Sequence, residues 1–179
     1  MRKIKEIQLT PEFDVIEREY FELPCHARSL NATANLMVGF PQRIYESERS
    51  ELSKRVHNEL IKYYAHDSMM RIEELQEPLA RQIASHMARQ PNMQTNISVT
   101  NPDRYFKIMG ECDLAIINGK TCEYLAYFKI AADISGDYLE YCKNQLLLAK
   151  RGLSANGYDV SNVKTELITP AGRISVTVE

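Results

Sequence analysis

Four side chains with chemical potential stand in order along this sequence: His57, Asp113, Lys129 and Gln145. Asp113 ends the string Gly110-Glu111-Cys112-Asp113 and opens an apolar run, Leu114 to Ile117. A carboxylate there is costly to bury alone and needs hydrogen-bonding partners or a metal. Lys129 closes a second apolar run, Tyr124 to Phe128, where a lysine that snorkels from a strand end is an equally ordinary reading. His57 sits beside Leu60, Ile61 and Tyr64 on a helical margin, a setting in which most histidines are merely packed or solvated. Gln145 begins a Gln-Leu-Leu-Leu string and also suits a helix surface.

The elements that must carry these residues follow from periodicity. From Glu46 onward Leu52, Val56, Leu60 and Tyr63 or Tyr64 recur at three- and four-residue steps, which predicts a helix with Ser47 as its N-cap. Its Glu48, Glu51, Lys54, Arg55, Glu59 and Lys62 form a mixed-sign face expected to be solvated. A second helical stretch, Met69 to Met87, contains Pro78 as a kink or break. Strand-like runs then flank an Asn-Pro-Asp turn, residues 101 to 103. A hairpin from Tyr105 to Ile130 turns at Asn118-Gly119, the strongest local hairpin signal. The segment from Asp137 reads as one helix, N-capped near Ser135 or Asp137 and ending at Gly157, and two final strands close around Pro170-Ala171-Gly172.

This order predicts an α/β fold, with an α+β variant open: a central mixed sheet with the 105–130 hairpin at its core and helices on both faces. Residues 1–44, punctuated by Pro11, Pro24 and Pro41, are expected to form an irregular arm or short strands, and 45–179 a single domain. The arm is a candidate for docking a protein partner.

Composition narrows the field. The 179 residues are 44% hydrophobic and 26% charged, which is ordinary for a globular domain, and no run is long enough to span a membrane. The first residues lack an apolar core and a small-residue cleavage site, so they do not read as a signal peptide, and a cytoplasmic location in a bacterial or phage-infected cell is expected. Cys25, Cys112, Cys122 and Cys142 are isolated, which favours buried free thiols over a zinc site or disulfides. A net charge of -2 without basic runs excludes a partner held by bulk charge, yet a local groove needs only a few phosphate contacts. Phosphate-loop, dinucleotide-binding, zinc-protease and nucleophile-elbow motifs are missing from the sequence.

The ordered set His57, Gly110 to Asp113, Tyr127-Phe128-Lys129 and Gln145 resembles the PD-(D/E)XK nuclease superfamily, most of all its RecB-like branch, over about residues 47 to 179. That resemblance implies a restriction-endonuclease-like core acting on DNA, with His57, Asp113, Lys129 and Gln145 as catalytic residues. It implies Mg2+ or Mn2+ held by hard carboxylate oxygens, with the metal activating water and lysine orienting the nucleophile. The clustered cysteines of the iron-sulfur members are missing after Cys142, so no such cluster is expected.

One position departs from the pattern. Where the family has an acid two residues before the lysine, this chain has Tyr127, a neutral phenol and a poor ligand for a hard cation. Either another acid replaces it or catalysis is lost. Glu123 is six residues from Lys129, about 20 Å along a strand, and is too far. Glu111 across the hairpin and Glu140 on the following helix are the candidate metal ligands beside Asp113, with Asp133 and Asp137 behind them. The turn is a further test. A two-residue turn at Asn118-Gly119 pairs Asp113 with Tyr124 and sets Asp113 and Lys129 on opposite faces. A three-residue loop with Gly119 as a left-handed bulge brings them to one face. The alternative to a nuclease-like protein acting on DNA, active or degenerate, is a non-enzymatic structural or assembly subunit that uses the fold as a scaffold.

Overall fold

The computed structural model describes residues 27–39, 50–102 and 107–179. Strand β1 (Ala27–Ser29) runs directly into helix α1 (Leu30–Leu36), whose N-cap Ser29 accepts from the Ala32 N–H. Of the stretch expected to be an irregular arm or short strands, residues 27–39 hold one short strand, paired with β3, and a helix. The Asn31 to Asn35 stretch, too polar to show an apolar period, is helical because this cap starts it and Leu30 and Ala34 bury one side. Cys25, Pro11, Pro24, Pro41, Ser47 and Tyr105 lie outside the described residues.

Helix α2 (Glu51–Tyr64) is capped by Ser50, and its stripe of Val56, Leu60, Tyr63 and Tyr64 is buried as the periodicity requires. The single helix expected over Met69 to Met87 is replaced by a 3-10 turn, Ile72–Glu74, and a short helix α3 (Pro78–Ser85). Pro78 occupies the first helical position, where its missing N–H costs nothing, so it starts the helix instead of kinking one.

Strands β2 (Met93–Pro102), β3 (Lys107–Asn118) and β4 (Thr121–Phe128) lead into helix α4 (Gly136–Ala155), and β5 (Lys164–Thr169) and β6 (Gly172–Ser175) complete a mixed six-stranded sheet. The fold is α/β with helices on both faces of the sheet. One core lies under α1 and α4, with Ala115, Ile117, Leu125, Tyr127 and Leu146; the other lies under α2 and α3, with Leu114, Ile116, Ala126, Phe128 and Leu60. Among the described residues no helix is long and apolar enough to cross a membrane.

The hairpin register differs from both alternatives offered by the Asn118-Gly119 signal. The loop is Gly119-Lys120, with Gly119 at φ +60, and Asn118 pairs Thr121. Ile117 then pairs Cys122 while Ile116 pairs Tyr124, so Glu123 is bulged and the register advances by one. Alternation in β3 also breaks at Asp113: Cys112 packs in the same core as Ala115, whereas Leu114 packs in the other. Opposite this break Asn96 adopts φ +49.

The edge of β3 is forked. Strand β2 covers one edge from Lys107 to Ile116, so β1 and β4 must share the other. Strand β1 pairs residues 107–109 and β4 pairs residues 114–118. Gly110 to Asp113 lie between them with no strand partner on that edge among the described residues.

Candidate functional site

A cleft of about 490 Å³ opens at this fork. His57, Asp113, Lys129 and Gln145 all line it, together with Glu111 and Tyr127. The sequence-ordered set is thus a spatial set, assembled from α2, β3, β4 and α4.

Two of these side chains, Asp113 and Tyr127, substitute for strand pairing that the fork lacks. Asp113 Oδ2 accepts from the Phe128 N–H at 2.9 Å, the next rung after the Leu114–Ala126 pair. The Tyr127 hydroxyl donates to the Glu111 carbonyl at 2.9 Å, satisfying a backbone acceptor in the gap. His57 Nε2 lies 3.3 Å from Asp113 Oδ2, and Nδ1 lies 2.8 Å from the Ser53 carbonyl. Burial disfavours the charged imidazole, but the Asp113 carboxylate and the Ser53 carbonyl outweigh it and raise its pKa above 6.5. With an acceptor facing each ring nitrogen, the imidazolium is the form that satisfies both.

Lys129 is 3% exposed. Its ammonium donates to Gln145 Oε1 at 2.6 Å and lies 5.3 to 6.0 Å from the ring centroids of Tyr127, Tyr138 and Tyr141. Carbonyl and aromatic faces offset the cost of burying the charge. The Gln145 amide is itself fixed, its Nε2 donating to Asn31 Oδ1 at 2.8 Å and to the Tyr141 hydroxyl at 3.0 Å. Asn31 therefore sets which end of Gln145 faces the lysine.

The acids sort differently. Glu111 lines the cleft with an exposed side chain. Glu140 does not line it; it pairs with Lys143 at 3.1 Å on the outer surface of α4. Asp133 and Asp137 are exposed outside the cleft, and Glu123 is the exposed bulge residue. Among the described residues no three His, Cys, Asp or Glu side chains converge as a metal ion would need. Asp113 Oδ2 is shared between the His57 imidazole and the Phe128 N–H, and Glu111 is the second carboxylate that lines the cleft.

Thiol chemistry belongs elsewhere too. Cys112, Cys122 and Cys142 are buried. Burial pushes the Cys122 thiol up to about 11 and raises Cys112 further, so neither is a ready nucleophile.

Asn31, Ser53, Lys54 and Asn58 also line the cleft. Ser53 and Lys54 precede His57 by four and three residues and share its helix face, a spacing legible in sequence. Asn31 was not legible, because only the parallel pairing of β1 with β3 brings it there. Comparisons of the chain with protein-family models, with curated proteins and with solved structures find no match.

Proposed function

We propose that the chain is a nuclease-like α/β domain that binds DNA through this cleft and has lost metal-dependent cleavage. The observation that carries the reading is the convergence of His57, Asp113, Lys129 and Gln145 on one cleft that holds Tyr127 where the resemblance calls for an acid. The Lys129 ammonium and the His57–Asp113 pair share a polar cleft that Glu111 also lines, and the side chains of Asn31, Asn58 and Gln145 add neutral hydrogen-bonding groups of the kind that contact a phosphate. Tyr127 supports loss of cutting because its hydroxyl closes the strand fork and does not offer a charged oxygen to a cation.

The test uses labelled single- and double-stranded oligonucleotides with and without Mn2+. Binding that weakens steeply as salt rises, with the DNA left intact, is the expected result. Degradation that Asp113→Ala and Lys129→Ala both abolish would overturn the non-cutting reading and restore an active nuclease. No binding at any salt concentration would remove DNA as the partner and leave the scaffold alternative.

A further inference from the structure

Helix α2 has two polar rows with different fates. One is consumed by the fold. Arg55 pairs with Glu77 at 2.7 Å, and the Glu59 carboxylate accepts from the Gln76 and Glu77 N–H groups at 2.8 and 2.9 Å, holding the approach to α3. The other row is Lys54, Asn58 and Lys62 at four-residue spacing, with His66 in the turn beyond, all exposed. Lys54 and Asn58 line the cleft already described. His66 lines a second cavity, of about 280 Å³, between the end of α2 and the start of β2.

Arg89 is the cation of that second cavity, and no carboxylate lines it. The guanidinium carbon sits 4.5 Å from the Tyr63 ring centroid. Nη1 donates to the Ser68 carbonyl at 3.1 Å and more weakly to the Tyr63 carbonyl at 3.4 Å. Stacking and two carbonyls fix the plane of the fork before any ligand arrives, while Nε and Nη2 donate to no group among the described residues. A held guanidinium with spare donors is suited to an oxyanion. The acids nearest the row are Glu51, which pairs with Lys54 at 3.1 Å, Glu59, whose carboxylate is turned to the Gln76 and Glu77 N–H groups, and Asp67, next to His66.

We propose that α2 is a track for the DNA backbone, which runs from the cleft past Lys62 to an anchoring phosphate site at Arg89. This rests on the DNA-binding reading above and extends it by a second site and a direction. From Lys54 to the end of α2 at Tyr64 is about 15 Å by helical rise. That length equals the axial rise of about four base steps of a duplex, at about 3.4 Å each. Charge complementarity selects the occupant, since the face joining the two cavities offers Lys54, Lys62 and Arg89 against Glu51, which pairs with Lys54, and Asp67, while the Glu59 carboxylate is held by the Gln76 and Glu77 N–H groups.

The experiment compares the salt dependence of oligonucleotide binding for the wild type, Lys62→Gln, Arg89→Gln and, as a control, Lys164→Gln, an exposed lysine that lines neither cavity. Loss of one phosphate contact should reduce the slope of log affinity against log salt by about 1 in each of the first two and leave the control unchanged. Slopes equal to wild type in both would overturn the track while DNA binding through the cleft stands. A wild type that binds no DNA would instead sink the underlying reading and the track with it. Arg89 also braces the end of α2, so thermal melting is measured alongside; should Arg89→Gln fail to fold, the exposed Lys62→Gln decides alone.

Discussion

Tyr127 joins a packed ring to a cap on the backbone of the neighbouring strand. Its ring packs in the α4-side core and contacts the Lys129 ammonium, and its hydroxyl caps the Glu111 carbonyl left open by the strand fork. Removing the hydroxyl alone separates these roles. Tyr127→Phe keeps the ring beneath Lys129 but strands a partly buried carbonyl, and should cost about 1 kcal/mol of stability. A urea unfolding midpoint identical to wild type would show that the carbonyl has another partner. The type of residue 127 was plain in the sequence and so was its conflict with a metal site. The compensating bond was not, because it depends on a gap in β3 that exists only once β1 is placed. The same holds for Lys129: snorkelling was the ordinary expectation for a strand-end lysine, and only the tyrosines of α4, folded back over the sheet, make burial tolerable.

At the scale of elements, the cleft depends on α1 lying against β3. Gly110 makes that approach possible, since a Cβ built there would stand 2.5 Å from Leu30 Cβ. Leu30 is 1% exposed and its Cβ is fixed to the helix backbone, so it cannot swing aside as a side-chain tip would. Gly110→Ala should therefore destabilise by about 1 to 3 kcal/mol through overpacking. It should also push Asn31, the next residue, away from Gln145, and so shift the Gln145 side-chain amide resonances. A stable variant with unchanged amide resonances would mean that α1 does not set the cleft. The helices α2 and α4 and the β3–β4 hairpin were legible because apolar spacing and turn residues act locally. The register was not: a Gly119-Lys120 loop and a Glu123 bulge are settled by burial on both faces of the sheet, which no local string encodes. Helix α1 was hidden for a related reason, because its Ala and Asn residues become a buried face only against α4.

For the whole molecule, two ionic clusters on different parts of the sheet bear on stability in opposite senses as pH changes. His57 is bound in the folded state as an imidazolium between Asp113 and Ser53, and its pKa is raised despite the opposing effect of burial. Its contribution is complete below the ordinary value of 6.5 and is lost as pH rises through the higher folded value. Glu166 on β5 behaves inversely. Burial works to raise its pKa, but hydrogen bonds from Arg173 at 2.7 Å and from the Tyr124 hydroxyl at 2.6 Å outweigh it and lower the value. Its contribution is complete above the ordinary 4.5 and is lost as pH falls through the lower folded value. Both contributions are whole only between about pH 4.5 and 6.5, so urea midpoints should be highest in that interval. His57→Gln should flatten the alkaline limb and leave the acid limb, while Glu166→Gln should do the reverse. The assignments fail if either variant alters the other limb instead. Because His57 lines the cleft and Glu166 does not, loss of the alkaline limb alone on adding an oligonucleotide would place the ligand against the His57–Asp113 pair.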